Sequence, residues 1–334
     1  MRKRFIFRAD AGPVMGFGHF VRSVALAGYV READPEAEIL FASRFDSGVA
    51  SLFPFQRDAL NEIDASFFPL ADNTDFLSIP GKDDVTVLDN YYYTPDYQKE
   101  VRARCRALVA IHDMAGYEFE ADAVISGTPL PRTAYRIPDY SLYFSGLEYF
   151  PLRKPFFSSF HRREIRPAGP DGCEAPIVMA MGGADPLHLA PRLVGAVRRA
   201  FKDSPVVVVG SHPLPSDVGN VSTLSGLTAE QMVDLFDSAC LGIFPASTVC
   251  IEALSRRLPV VSGRFVDNQD ILLDALKEGE YARSVGDLAR LADMEVEAAA
   301  EVIRKAGVAA MASSGNSIPF LKGKSVLTEM LLNF

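Results

Sequence analysis

Within its first 22 residues the chain sets a histidine and an arginine behind a glycine-rich turn. The stretch runs Arg4-Phe5-Ile6-Phe7-Arg8-Ala9-Asp10, then, after Gly12 and Pro13, Gly16-Phe17-Gly18-His19-Phe20-Val21-Arg22. Phe5-Ile6-Phe7 reads as a short buried strand and 10–18 as a loop. From His19 onward the apolar residues Phe20, Val24 and Ala27 recur at helical spacing. His19 therefore falls in the first turn of a helix, with Arg22 three residues on and on the same face. The positive end of the helix and Arg22 both disfavour adding a proton to the imidazole, and a neutral histidine beside a ligand is a usable general base. Gly16 and Gly18 let the backbone approach a ligand without Cβ collisions. The dinucleotide fingerprint fails, because Val21 holds its third glycine position, and Walker A fails for want of Gly-Lys-Ser/Thr. The same residues would also make a tight strand-to-helix turn with a capping histidine, and at this point both readings stand.

A second constellation lies in the other half. Gly182-Gly183 follows an apolar strand and precedes a helix, a place where backbone amides and the helix field favour phosphate. Ser247-Thr248 repeats the device with hydroxyls added. Glu252 lies one turn beyond Thr248 on the same face, where a carboxylate can accept two hydrogen bonds from a ribose diol. Together these residues describe a nucleoside-diphosphate site. Asn268-Gln269 opens the following helix and offers neutral amides for sugar hydroxyls. Helix capping by Ser247 or Thr248, a surface glutamate and an amide cap are the plain alternatives.

The elements that must position these groups alternate. Strands fit 5–9, 38–42, 85–89, 108–112, 123–126 and 141–144, with helices at 19–33, 47–61 and 95–105. A second series has strands at 177–181, 206–209, 241–244, 259–262 and 281–285, with helices at 188–202, 228–238, 248–257, 268–278 and 287–305. Such alternation implies parallel sheets covered by helices, hence two doubly wound α/β domains with ligands at the carboxyl ends of the strands and a cleft between them. The first sheet's strand ends carry Asp10, Asp89-Asn90-Tyr91 and His112-Asp113. Asp10 joins His19 and Arg22 as candidate catalytic residues. Asp89 and Tyr91 join Gly16, Gly18, Asn268 and Gln269 as candidate substrate contacts, and loop capping by Asp89 or Asp113 is the simpler alternative. The expected division is 1–155 and 176–324, joined by a proline-rich linker at 156–175 that holds His161-Arg162-Arg163. A terminal helix at 325–334 is expected to cross back onto the first domain.

Composition narrows the classes. At 334 residues, 48% hydrophobic and 23% charged, the chain suits two soluble globular domains. A net charge of −9 argues against a general nucleic-acid binder. Arg2-Lys3-Arg4 precedes only three apolar residues, which is no signal peptide, and no apolar run nears ~18 residues, so no membrane insertion and a cytoplasmic location are expected. Cys105, Cys173, Cys240 and Cys250 show no C-x-x-C spacing and read as reduced core thiols, and the few scattered histidines make a metal site unexpected.

At this point a resemblance becomes clear. Phe7-Arg8-Ala9-Asp10, Gly16-Phe17-Gly18-His19-Phe20-Val21-Arg22, Phe144-Ser145-Gly146-Leu147-Glu148-Tyr149-Phe150-Pro151-Leu152-Arg153, Gly182-Gly183-Ala184-Asp185-Pro186, Ala246-Ser247-Thr248-Val249-Cys250-Ile251-Glu252 and Asn268-Gln269 follow the order seen in the UDP-sugar hydrolases of the pseudaminic acid pathway. Those enzymes act on UDP-2,4-diacetamido-2,4,6-trideoxy-altropyranose. The second-half motifs are shared with the wider GT-B glycosyltransferases. The resemblance implies a GT-B fold, a UDP-sugar substrate held mainly by the C-terminal domain, and no metal or cofactor. It implies His19 acting on the water that attacks the anomeric carbon, with Ser247, Thr248 and Glu252 at the positions holding diphosphate and ribose. The chain departs from the pattern at Phe17, at His112 (where Asp-Asp is usual), at Ala246 and at Arg257 (where glycine is usual). The alternatives are a GT-B transferase with an alcohol or lipid-linked acceptor and a nucleotide-sugar binder without turnover.

Overall fold

The computed structural model describes residues 2–12, 16–44, 52, 54–158, 175–182, 185–216, 218–313 and 316–334. Gly183, Cys173, the His161-Arg162-Arg163 cluster and most of the expected linker lie outside the described residues. The chain divides into two compact units, one of residues 1–154 with 319–334, the other of 155–318.

The first unit is built on seven strands: β1 (Arg4–Ala9), β2 (Glu38–Ser43), β3 (Ser66–Pro69), β4 (Val85–Asp89), β5 (Ala107–Ile111), β6 (Ala123–Ser126) and β7 (Leu142–Ser145). They form one parallel sheet in the order β3-β2-β1-β4-β5-β6-β7. The helices α1 (Gly18–Ala33), α2 (Pro54–Glu62), α3 (Asn73–Phe76) and α4 (Pro95–Arg102) connect the earlier strands. β4, β5 and β6 are buried along their whole length, as sheets covered on both faces require. The chain steps outward from β1 to β2 and β3, then returns to lay β4 on the other side of β1. The carboxyl ends of β1 and β4 therefore flank the point where strand order reverses, the place where open α/β sheets bind ligands.

The second unit repeats the plan with β8 (Ile177–Met179), β9 (Val206–Val209), β10 (Val221–Leu224), β11 (Leu241–Pro245), β12 (Val260–Arg264) and β13 (Arg283–Asp287), ordered β10-β9-β8-β11-β12-β13 and all parallel. Its reversal point lies between β8 and β11. The helices are α5 (Leu189–Ala200), α6 (Ala229–Ser238), α7 (Thr248–Ser255), α8 (Asp270–Glu278), α9 (Leu288–Ala292) and α10 (Val296–Met311). Thr228 and Gln231 make the capping box at the start of α6 that the sequence spacing predicts.

Three features differ from the sequence expectation. β3 and β10 are additional strands, and the single helix expected at 287–305 is two. Continuing α9 straight would carry Glu295, Ala298 and Val302 inward, whereas the structure buries Ala299, Ala300 and Ile303 instead. The chain breaks at Asp293–Glu295 to make that change of face. The last helix, α11 (Phe320–Asn333), starts five residues before the expected 325 and packs in the first unit against α1 and the 3-10 turn Leu147–Tyr149. That contact covers a second face of α1, where Lys324 lies over the Tyr29 ring, while Ser23 is buried on the other side against Asp89 of β4.

Candidate active site

Parallel pairing sets Asp89, the last residue of β4, beside Ala9, the last of β1, and beside Ile111 of β5. α1 leaves the β1 loop and packs against β1 and β4, which brings its first turn onto Asp89. His19 Nδ1 lies 2.7 Å from Asp89 Oδ1. Arg22 donates from Nε to Oδ2 at 2.7 Å and from Nη2 to Oδ1 at 2.6 Å. Ser23 Oγ adds a bond to Oδ2 at 3.0 Å. Arg22 Nη1 turns to the carboxylate of Asp113, whose Oδ1 accepts the Gly127 amide at 3.1 Å. Burial alone would raise the carboxyl of Asp89, but the charges of Arg22 and His19 outweigh it and hold it at about 2.

This geometry fixes the histidine tautomer. Arg22 Nη2 also approaches Nδ1, at 3.1 Å, yet an arginine can only donate and an ionised carboxylate can only accept. The shorter contact belongs to Asp89, so Nδ1 is the nitrogen that donates to the carboxylate and Nε2 is the one turned away from it. The imidazole is oriented by a carboxylate and presents a base nitrogen, the arrangement general-base chemistry needs. Tyr91 stands edge-on to His19, ring centroids 4.6 Å apart, and edge-on to His112 at 5.2 Å. Among the described residues, Gly16 takes φ +81 with nothing within 4 Å of where a Cβ would point, and Gly18 opens α1. A side chain at Gly16 would strain the turn.

Two expectations change role here. Asp89 was read as a substrate contact, but its oxygens are taken by His19, Arg22 and Ser23. Asp10 was placed in the catalytic set. It is fully buried, and it accepts from Arg8 Nη2 at 2.9 Å, from the Arg44 amide at 2.7 Å and from the Tyr92 hydroxyl. The carboxylate that meets the histidine is thus Asp89, not Asp10. Ser23 and Asp113 complete the cluster. Ser23 adjoins Arg22 in the sequence, but nothing there marks it as polar core, while Asp113 appears only as one of several strand-end polar residues.

In the second unit the candidate residues follow adjacent strands. Gly182, with φ +87 and no described atom within 4 Å of where a Cβ would point, follows β8. Ser247 and Thr248 follow β11, and Asn268 and Gln269 follow β12. The expected anion site at the start of α5 is already filled by the protein. Asp185 accepts the amides of Leu189 and Ala190 at 2.8 and 2.9 Å, so its carboxylate takes the amides offered to phosphate. The start of α7 differs. Ser247 occupies its N-cap without a side-chain cap bond, and among the described residues the amides of Thr248 and Val249 have no acceptor. Glu252 is only 4% exposed, which removes the surface-glutamate alternative. Gln269 is buried and its Oε1 accepts the Phe265 amide at 2.9 Å, closing the turn before α8, while Asn268 is exposed.

Known structures share this architecture across the whole chain. The glycotransferase of kitacinnamycin superposes with a TM-score of 0.61 at 13% identity, covering 99% of this chain and 95% of its own. MurG of Acinetobacter baumannii gives 0.58 at 12%, covering all of both chains. A putative UDP-N-acetylglucosamine 2-epimerase from Listeria monocytogenes gives 0.57 at 11%, over 98% and 95%. With the two strand orders, these likenesses define the class: the fold is GT-B, two doubly wound parallel α/β units. Among curated proteins, "Uncharacterized protein MJ1062" of Methanocaldococcus jannaschii is 24% identical over 210 residues, 60% of this chain and 41% of that protein. This chain therefore spans less than half of that relative's length. No protein-family model matches the chain. No helix among the described residues is long and apolar enough to cross a membrane.

Proposed function

We propose that the protein hydrolyses a UDP-linked diacetamido-trideoxy sugar at its anomeric carbon, releasing UDP and the free sugar. The observation that carries this reading is the His19–Asp89 pair at the reversal point of the first sheet, with no partner at Nε2 among the described residues. In the proposed step Nε2 takes a proton from water as the water oxygen attacks the anomeric carbon. The bond from that carbon to the β-phosphate oxygen breaks, and UDP leaves with the electron pair. Asp89 keeps the ring oriented and balances the imidazolium that forms. The nucleotide belongs to the second unit. The open α7 terminus, with Ser247 and Thr248, takes the diphosphate, and Glu252 takes the ribose hydroxyls. Gly182 allows close backbone approach to the nucleotide, and in the first unit Tyr91, whose ring packs on His19, is the candidate sugar contact. The GT-B likenesses, which include two glycosyltransferases and a putative UDP-N-acetylglucosamine 2-epimerase by name, support a nucleotide-sugar enzyme.

The test uses the UDP-diacetamido-trideoxy-altrose donor without acceptor, followed by proton NMR, with UDP affinity measured in parallel. Wild type is expected to release sugar and UDP. His19→Ala should release neither while binding UDP as before, and Glu252→Ala should weaken UDP by ~1–3 kcal/mol, the scale of hydrogen bonds to a charged group. UDP bound without release by wild type would shift the reaction to a transferase with an alcohol or lipid-linked acceptor. Loss of UDP binding in His19→Ala would remove the division of labour between the units.

A further inference from the structure

The imidazole of His19 meets charge and polarity from three elements. α1 supplies Arg22. The end of β4 supplies Asp89 and Tyr91, and the end of β5 supplies His112 and Asp113. His112 adds no charge near neutral pH, because burial pushes it down to about 4, and the Tyr91 ring stands at 76° to the imidazole. Among the described residues the fixed charges are therefore two carboxylates and one guanidinium, all buried.

Arg22 holds Asp89 through two nitrogens and Asp113 through the third. Alone, the Asp89–Arg22 pair would be neutral. It would orient the imidazole but offer little field to a proton arriving on Nε2. With Asp113 present, the trio carries one net negative charge, and protonation of His19 returns the cluster to zero. We propose that Asp113 is a positioning residue for the base: it engages the Arg22 guanidinium so that the charge of Asp89 stays available to His19. Asp113 works through Arg22. The Gly127 amide, bonded to its other oxygen, keeps it in place. The inference rests on the reading of His19 as the base.

Its test does not need turnover. The Cε1 protons of the histidines in the full-length, ligand-free protein are titrated by proton–carbon NMR, with His19 assigned by the signal lost in His19→Asn. Asp113→Asn keeps the shape and the oxygen that accepts the Gly127 amide while removing one negative charge. It should lower the His19 midpoint by ~1 pH unit, the size expected of one charge acting across a buried cluster. Arg22→Gln should raise the midpoint by a similar amount. Loosening of the site would not give shifts of opposite sign. An Asp113→Asn midpoint within about 0.2 units of wild type, or above it, overturns the proposal; that margin is small beside ordinary environmental shifts. If Asp113→Asn does not fold, Asp113→Ser, which also removes the charge, takes its place under the same criterion. A wild type that hydrolyses nothing would end the functional reading, yet the two titrations would still decide the role of Asp113.

Discussion

Asp89 couples the site to the stability of the fold. Its carboxyl is held at about 2, below the ordinary 3.8. A carboxyl depressed by folding stabilises the native state at pH values above its unfolded range. That contribution fades as pH falls from ~4 through ~2. A shift of this size corresponds to ~2 kcal/mol. Asp89→Asn should therefore be destabilised near neutral pH, because Arg22 stays buried with one carboxylate fewer. Urea melts of wild type and variant between pH 5 and pH 2.5 would show the difference shrinking towards acid, and a constant difference would remove Asp89 as its source. Half of this cluster is legible in the sequence. His19 and Arg22 lie three apart on one helix, which spacing alone reveals. Their carboxylate lies 70 residues away and is chosen by which strand pairs with β1, so nothing local separates Asp89 from Asp10. Asp185 was hidden for a different reason. Its capping of α5 depends on φ +34 at that residue, a turn geometry that the sequence Gly-Gly-Ala-Asp-Pro does not specify.

At the scale of elements, the long buried strands and amphipathic helices follow from apolar runs and periodicity, and the sheet ends follow from them. β3 and β10 did not, since both are four-residue edge strands exposed along most of their length, too short for an alternation to stand out. The signals that were present are Asp64 and Asn220, left-handed residues at φ +48 and +57 shortly before each strand. Helix ends read better. α7 stops in a Schellman motif, with the Arg257 amide on the Leu254 carbonyl at 2.9 Å, the Leu258 amide on the Ala253 carbonyl at 3.2 Å, and Pro259 following. The motif demands a left-handed residue, and Arg257 takes φ +54 there, where glycine pays no Cβ penalty. Arg257→Gly should raise stability by ~0.5–1 kcal/mol. The urea midpoint is the readout, and a lower midpoint would mean that the arginine side chain contributes more than the backbone strain removes.

At the scale of the whole molecule, the chain ends in the unit where it began. It leaves the first unit after residue 154 and rejoins it at 319, and α11 then buries Phe320, Leu327, Met330 and Leu331 there. Lys324 reaches Glu32 and lies over the Tyr29 ring of α1. What allows this docking is Gly323. A Cβ on it would fall 1.7 Å from the backbone oxygen of Glu148 and 2.5 Å from its carbonyl carbon, both main-chain atoms that no rotamer can move aside. The stretch 144–153 and the last helix, far apart in sequence, are thus fitted to each other through the absence of one methyl group. Gly323→Ala favours the isolated helix by ~1 kcal/mol, so intrinsic propensity predicts a gain, while the contact predicts a loss. The clash should win, because helix and turn must separate to admit the methyl, and overpacking of this kind costs about 1–3 kcal/mol or more. Gly195→Ala supplies the control. It too sits inside a helix, but nothing lies within 4 Å of its added Cβ, so there the propensity gain should appear alone. Urea melts of the two variants should therefore move in opposite directions, with the C-terminal segment of Gly323→Ala cut early by protease. If both variants gain stability, α11 is not seated on the Glu148 turn as described.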